Sequence, residues 1–356
     1  MKRNIVRDDV VSSCYFRTSV KPPHRKVLLQ ITERCNLHCA HCFISAVQEG
    51  AIMNLQDIKK IIPRLKECNT ISITLTDGEP FTHPDIIPII KLISDMNLKV
   101  SICTNATLIS ELQMQELATI GQIHVNVSLD GFRPESHGKF RGDIQSFEIT
   151  KATIELLGKY QLLHGLLVTP NNLASVEEYA QICQFAINNG ASYVLMNPLS
   201  KMGRGILSKK SLEFSDKKME QIRIETTQYQ QLIQIIYVRF PNAAGFPLGS
   251  CEAGNIIYIF TKGEMAICPY LVFAAKTPQS QYSPDNFIVG NIFTNKNIVS
   301  LLKGYKLVEK YPLIGYNNIC QSCRQNDKCS RGCPAAIIAS GERIESLDYA
   351  LCPTRE

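Results

Sequence analysis

Cys35-Asn-Leu-His-Cys39-Ala-His-Cys42 places three thiols within eight residues, at C-x3-C-x2-C spacing, so that one compact soft-metal centre can sit inside the loop. An iron–sulfur cube with four irons asks for four thiolates and this loop offers three, which leaves one iron open to an exchangeable ligand. Zinc is the alternative on spacing alone, because His38 or His41 would complete a four-ligand site. The surrounding chain has to decide between them.

Directly upstream, Val27-Leu28-Leu29-Gln30-Ile31-Thr32 is an apolar, β-rich run that delivers the chain into the cysteine loop. Downstream, Asn54 opens a helix whose apolar residues recur at helical spacing from Ile58 to Lys66. The alternation then repeats. Strands are expected at 72–76, 99–103, 124–129, 163–168 and 193–196, and helices at about 85–96, from Ser110, at 145–159 and at 175–189. About six strand–loop–helix units argue for parallel α/β architecture, too few for a closed eightfold barrel, so an open, partial (β/α)6 barrel is expected. In such folds the loops after the strand C-termini build the active site. The polar motifs fall there: Cys35–Cys42, Asp77-Gly78-Glu79-Pro80, Thr104-Asn105-Ala106-Thr107 and Ser128-Leu129-Asp130-Gly131.

Residues 1–24 read as a short arm ending in Lys21-Pro22-Pro23-His24, which cannot be helix interior. It is too short for a separate peptide-recognition domain, so leader recognition, if needed, is expected from another protein. The barrel is assigned to 25–235. After Gly203-Arg204-Gly205 the pattern loosens; 211–235 suggests a polar amphipathic helix, and a second domain is expected over 236–356.

The chain has 356 residues, 45% hydrophobic and 20% charged, with a net charge of +6. Its Lys and Arg residues are dispersed, which argues against a nucleic-acid partner. It has neither a long apolar run nor the h-region of a signal peptide, so no membrane role and a cytoplasmic location are expected. In that reducing setting 14 cysteines are metal ligands sooner than disulfides. Three lie at 35–42 and seven between Cys251 and Cys352. Cys14, Cys68, Cys103 and Cys183 stand apart and read as small buried hydrophobes.

With the cysteine loop behind a first strand, the sequence resembles a radical S-adenosylmethionine (SAM) enzyme. Asp77-Gly78-Glu79-Pro80 resembles the family's Gly-Gly-Glu-Pro loop for the SAM amino group, with Asp77 in place of the first glycine. Thr104-Asn105-Ala106-Thr107 resembles its Thr-Asn-Gly-Thr segment. Ser128 to Gly131, with His137 and Arg141, is similar to the stretch that supplies ribose contacts and an arginine to the SAM carboxylate. A planar guanidinium suits that carboxylate. His41 stands where the family usually has an aromatic residue near the adenine. The resemblance implies a catalytic cluster on Cys35, Cys39 and Cys42, with cofactor contacts from His41, Asp77, Gly78, Glu79, Asn105, Ser128, Asp130 and Arg141.

The distal cysteines, Cys251, Cys268, Cys320, Cys323, Cys329, Cys333 and Cys352, resemble the SPASM extension found on peptide- and protein-modifying members. Locally, Cys320 to Cys333 also fits a four-cysteine zinc site. By resemblance, Cys320, Cys323, Cys329 and Cys352 hold one auxiliary 4Fe–4S cluster, and Cys251, Cys268 and Cys333 hold another. Residues 243–250 carry no extra cysteine, so the latter cluster is expected to keep an open or non-cysteine fourth site.

The function implied is an oxidoreductase that makes a 5′-deoxyadenosyl radical and abstracts hydrogen from a ribosomally made peptide, installing a thioether, a carbon–carbon crosslink or a related oxidation. Its cofactors would be SAM and three 4Fe–4S clusters, and flavodoxin or ferredoxin its electron donor. The alternatives are a sulfatase-type formylglycine maturase, a sugar or cyclitol dehydrogenase or epimerase, and, from another class, a non-enzymatic zinc-binding interaction protein.

Overall fold

Among the described residues one sheet of ten strands contains the six expected strands and four more. The computed structural model describes residues 11–15, 20–249, 251 and 253–354; the rest of the expected arm lies outside them. The strands are β1 (Arg25–Leu29), β2 (Thr70–Leu75), β3 (Lys99–Thr104), β4 (Ile123–Ser128), β5 (Leu163–Val168), β6 (Tyr193–Met196), β7 (Gln234–Tyr237), β8 (Ile256–Ile259), β9 (Glu264–Ala266) and β10 (Ile288–Asn291). They form one sheet in the order β10-β9-β8-β1-β2-β3-β4-β5-β6-β7. Each neighbouring pair from β1 to β7 is parallel. The sheet stays open, with β7 and β10 at its ends.

The crossovers run through α1 (Leu55–Glu67), α2 (Ile86–Asp95), α3 (Glu111–Ile120), the single turn α4 (Lys139–Arg141), α5 (Ser146–Lys159), α6 (Val176–Asn188), α7 (Gly205–Leu212) and α8 (Asp216–Thr227). Alternation along the strands explains the layering. Val27, Leu29, Ile73, Leu75, Val100, Ile102, Val125 and Val127 are all fully buried in one core with the apolar faces of α1, α2 and α3. Each such side chain contributes roughly 1.5–3 kcal/mol on burial. The helices start at local caps: Asn54 accepts from Asp57 N–H, and Ser110 and Gln113 cap each other.

One expectation is corrected. The helix expected over 211–235 breaks into α7 and α8 and stops at Thr227, because the chain must turn to lay Ile235 against β6 as β7. The chain beyond 236 also joins this sheet. β8, from the C-terminal third, pairs in parallel with β1 from Lys26↔Ile256 to Leu29↔Ile259. The distal cysteines are therefore carried by chain that continues the same sheet beyond β1. Within that chain the helix α9 (Pro269–Ala275) packs against the helix Pro334–Ala339, and each follows a cysteine directly.

Candidate active site and the distal cysteine sites

The cysteine loop begins six residues after β1 and is held by the loops of three later strands. The Gly78 turn approaches it most closely. Its φ is +69°, and a Cβ there would lie 2.5 Å from the carbonyl oxygen of Thr32 and 2.6 Å from that of Arg34, so only glycine fits. Glu79 N–H donates to the same Arg34 carbonyl at 2.7 Å. Asp77 also has positive φ, 63°, which asparagine and aspartate tolerate better than most residues. Its carboxylate accepts from the Tyr258 hydroxyl on β8, and burial pushes its pKa up to about 6.

Glu79 and Asp130, expected among the cofactor contacts, already have protein partners. Both carboxylates are buried and engaged by protein donors. Glu79 accepts from Thr104 Oγ1 and Asn105 N–H, each at 2.7 Å, and from Phe81 N–H at 3.1 Å. Asp130 accepts from Arg141 Nε at 2.6 Å and from Thr169 N–H at 2.7 Å. These bonds tie neighbouring strand-end loops together. Asn105 does meet the cysteine loop: its amide donates to Asn36 Oδ1 at 3.0 Å and lies 4.0 Å from Cys35 Sγ. Ser128 ends β4, one residue before the buried Leu129-Asp130 step.

Each thiol of the loop has an N–H aimed at its sulfur: Leu37 N–H to Cys35 at 3.5 Å, Ala46 N–H to Cys42 at 3.3 Å, and Arg141 Nη1 to Cys39 at 3.7 Å. Such donors suit thiolate sulfur bound to a cluster. Burial pushes the metal-free Cys35 thiol up to about 12, so loading a cluster must release its proton. Among the described residues no three His, Cys, Asp or Glu side chains converge on a single metal ion. A cubane spreads its thiolates over the corners of the cluster and does not need that convergence. His38 is exposed. His41 stacks on Phe140 with ring centroids 4.5 Å apart and planes 4° apart, so one face of its ring is already covered. His41 Nδ1 is buried without a partner. His137 Nδ1 accepts from Asp130 N–H at 3.1 Å, and burial with the Arg141 charge lowers its pKa to about 3. The neutral ring then carries its proton on Nε2, which is buried and unpartnered. Three N–H-solvated thiols beside unpartnered buried imidazole nitrogens fit a cluster with a polar organic ligand.

The sequence reading missed Arg204. Its Nε donates to the Cys39 carbonyl at 2.8 Å, its Nη1 to the Ala46 carbonyl at 2.9 Å, and its backbone N–H to the Cys42 carbonyl at 2.9 Å. Gly203 at φ +52° lets the backbone approach the Cys42 and Phe43 carbonyls. The glycines flanking Arg204 were the available signal.

The distal cysteines separate into two groups. Cys320 lies within electrostatic reach of Cys329 and Cys352. Backbone N–H groups reach Cys329 from Leu248 and Arg331, and Cys323 from Gln325, each at 3.4 Å. Cys333 belongs elsewhere: it lines one cavity with Cys251 and Cys268. This division differs from a local zinc site spanning Cys320 to Cys333. Cys14 and Tyr15 of the arm line that same cavity. Cys68 and Cys183 remain buried in the core as expected.

Residues 29–183 match the family model of the Radical SAM superfamily. The antilisterial bacteriocin subtilosin biosynthesis protein AlbA of Bacillus subtilis is 28% identical over 328 residues, covering 90% of this chain and 67% of that protein. An AdoMet-dependent heme synthase of Methanosarcina barkeri is 24% identical over 351 residues, covering 92% and 96%. The crystal structure of Streptococcus suis SuiB bound to S-adenosylmethionine superposes with a TM-score of 0.72 at 17% identity, over 92% of this chain and 77% of that one.

Proposed function

We propose that this chain, which belongs to the radical SAM superfamily, is a peptide maturase that installs an oxidative crosslink or a related modification in a ribosomally made precursor. The observation that carries this reading is the meeting of the Cys35–Cys42 loop with the ends of β2, β3 and β4, beside a separate set of distal cysteines. The likeness to a bacteriocin biosynthesis protein supports a peptide substrate.

Cys35, Cys39 and Cys42 would hold the catalytic cluster, leaving one iron for SAM. Arg141 carries positive charge next to Cys39, where the carboxylate of SAM would be held. The Gly78 turn brings backbone against the cysteine loop, and the unpartnered nitrogens of His41 and His137 are free to meet the nucleoside. When bound, cluster and SAM supply reductive one-electron chemistry that ends in hydrogen-atom abstraction, and the protein supplies orientation and exclusion of side reactions. Residues 236–356 would form the auxiliary domain, with two further 4Fe–4S clusters, about 12 irons per chain in all. A flavodoxin or ferredoxin would deliver the electron.

The test is anaerobic incubation of the iron-loaded protein with SAM, a reductant and candidate precursor peptides. Production of 5′-deoxyadenosine with a peptide mass loss of about 2 Da per crosslink is expected, and Cys35→Ala should abolish both. Unchanged mass for every peptide, with deoxyadenosine still formed, would sink the crosslinking reading. The similarity to a heme synthase favours a small-molecule substrate as the second reading, to be tried in the same assay.

A further inference from the structure

The cavity lined by Cys251, Cys268 and Cys333 has a fourth thiol at its wall, and it comes from the far end of the chain. Cys14 lies 237 residues before Cys251, yet it lines the same cavity as Cys251 and Cys333. With Cys268 the four cysteines line one pocket, whose other walls include Tyr15, Tyr270, Leu271 and Pro334. A single buried cysteine is most often a small hydrophobe. Four cysteines around one largely apolar cavity are a different matter, because a cubane needs four thiolates.

The arm is built into this place. Val11 forms a parallel bridge with Leu248, and it exchanges backbone bonds with Pro247 and Gly249 at 2.9 and 2.8 Å. Ser13 Oγ donates to the Gly249 carbonyl at 3.0 Å. Arg239 N–H donates to the Ser12 carbonyl at 2.7 Å, and Arg239 Nη1 to the Ser13 carbonyl at 2.6 Å. The same guanidinium grips Asp348, whose Oδ2 accepts from Cys333 N–H at 3.0 Å. The arm thus runs beside residues 247–249, just ahead of Cys251, where the sequence holds no cysteine. One network positions both Cys14 and Cys333.

We infer that Cys14 is the fourth thiolate of the auxiliary cluster held by Cys251, Cys268 and Cys333, so that this cluster is fully ligated by protein and has no iron free for substrate. The expectation of an open fourth site is replaced by a thiol supplied across the fold. This inference rests on the reading of the distal cysteines as iron–sulfur ligands. The role left to a saturated cluster is electron transfer.

The experiment uses the full chain with Cys35, Cys39 and Cys42 changed to alanine, so that only auxiliary clusters remain. That protein should hold about eight irons, and its reduced EPR spectrum should not change on adding cyanide. Adding Cys14→Ala should either remove about four irons or leave an open iron that now gives a cyanide-dependent EPR shift. Cys14→Ser, which keeps an oxygen ligand and nearly the same volume, should hold its irons with an altered spectrum even if the alanine variant folds poorly. Cys183→Ala, buried in α6, should change nothing. A cyanide response with Cys14 intact would overturn the inference. So would a Cys14→Ser variant with an unaltered spectrum and full iron. Absence of any iron from the starting protein would instead refute the iron–sulfur reading of the distal cysteines.

Discussion

Arg141 Nε lies 2.6 Å from Asp130 Oδ2 in a buried pair, and the other arm of the same guanidinium reaches Cys39 Sγ at 3.7 Å. One side chain therefore couples the end of β4 to the middle of the cysteine loop. Asp130 in turn is fixed by Thr169 N–H after β5. The guanidinium has a set direction before any ligand arrives, which lowers the ordering cost of binding a carboxylate.

Removing Arg141 alone strands a buried carboxylate, which typically costs about 3–5 kcal/mol. Arg141→Met should lose stability on that scale in chemical denaturation. The double variant Arg141→Met with Asp130→Asn should recover much of it, because no unpaired charge remains. SAM affinity, measured by equilibrium dialysis, should stay low in both. Equal stability losses in single and double variants would show that the pair is not the source.

Arg204 should matter for cluster retention more than for the fold. Arg204→Ala removes two charge-assisted bonds to the Cys39 and Ala46 carbonyls, each worth about 1.5–3 kcal/mol. The loop ligands then lose their preset positions. Iron should fall by about four per chain in the otherwise unchanged protein, and should not fall when Cys35, Cys39 and Cys42 are already alanine. Loss of iron in both backgrounds would point to general destabilisation.

Asp77 makes a pH-dependent prediction. Burial raises its pKa from 3.8 to about 6, against the pull of the Tyr258 hydroxyl. Between those values the folded protein holds a proton that the unfolded chain has released. Its contribution is therefore fully present below about 3.8 and is lost as pH rises through about 6. Asp77→Asn keeps an acceptor for Tyr258 and tolerates positive φ. It should be more stable than the parent at pH 8, by about 2–3 kcal/mol, with the gap closing towards pH 4. Thermal midpoints at the two pH values check this, and a constant gap would refute it.

The parallel strands were legible because Val27, Leu29, Ile73, Leu75, Val100 and Ile102 repeat with period two and are bounded by turn residues. The loops after them were legible as motifs. The protein donors on Glu79 and Asp130 were not, because a carboxylate in a loop looks the same whether or not a backbone N–H meets it. β7 was hidden behind a polar helix, and only its pairing with β6 marks Gln234–Tyr237 as a strand. Cys14 was illegible for a stronger reason. Its partners are more than 230 residues away in sequence, and spacing rules see only local ligand sets.

Arg239 and Asp348 give the last prediction. Asp348 accepts from Arg239 Nη1 at 2.6 Å and Nη2 at 2.8 Å, and from Cys333 N–H at 3.0 Å, with both side chains buried. Arg239 also binds the Ser13 carbonyl and stands over the Tyr15 ring at 5.0 Å. Asp348→Asn leaves the guanidinium buried without its charge partner, again at about 3–5 kcal/mol. The loss should be local in character. Amide hydrogen exchange should accelerate at Val11 and Gly249, whose N–H groups close the bridge between the arm and residues 247–249. The N–H groups of β2, β3 and β4 should stay protected, because their parallel ladder does not involve Asp348. Arg239→Lys keeps the charge but loses the fork, so it should loosen the same amides to a smaller degree. Uniform acceleration over sheet and arm in Asp348→Asn would show that the pair supports the whole fold and not the seat of the arm.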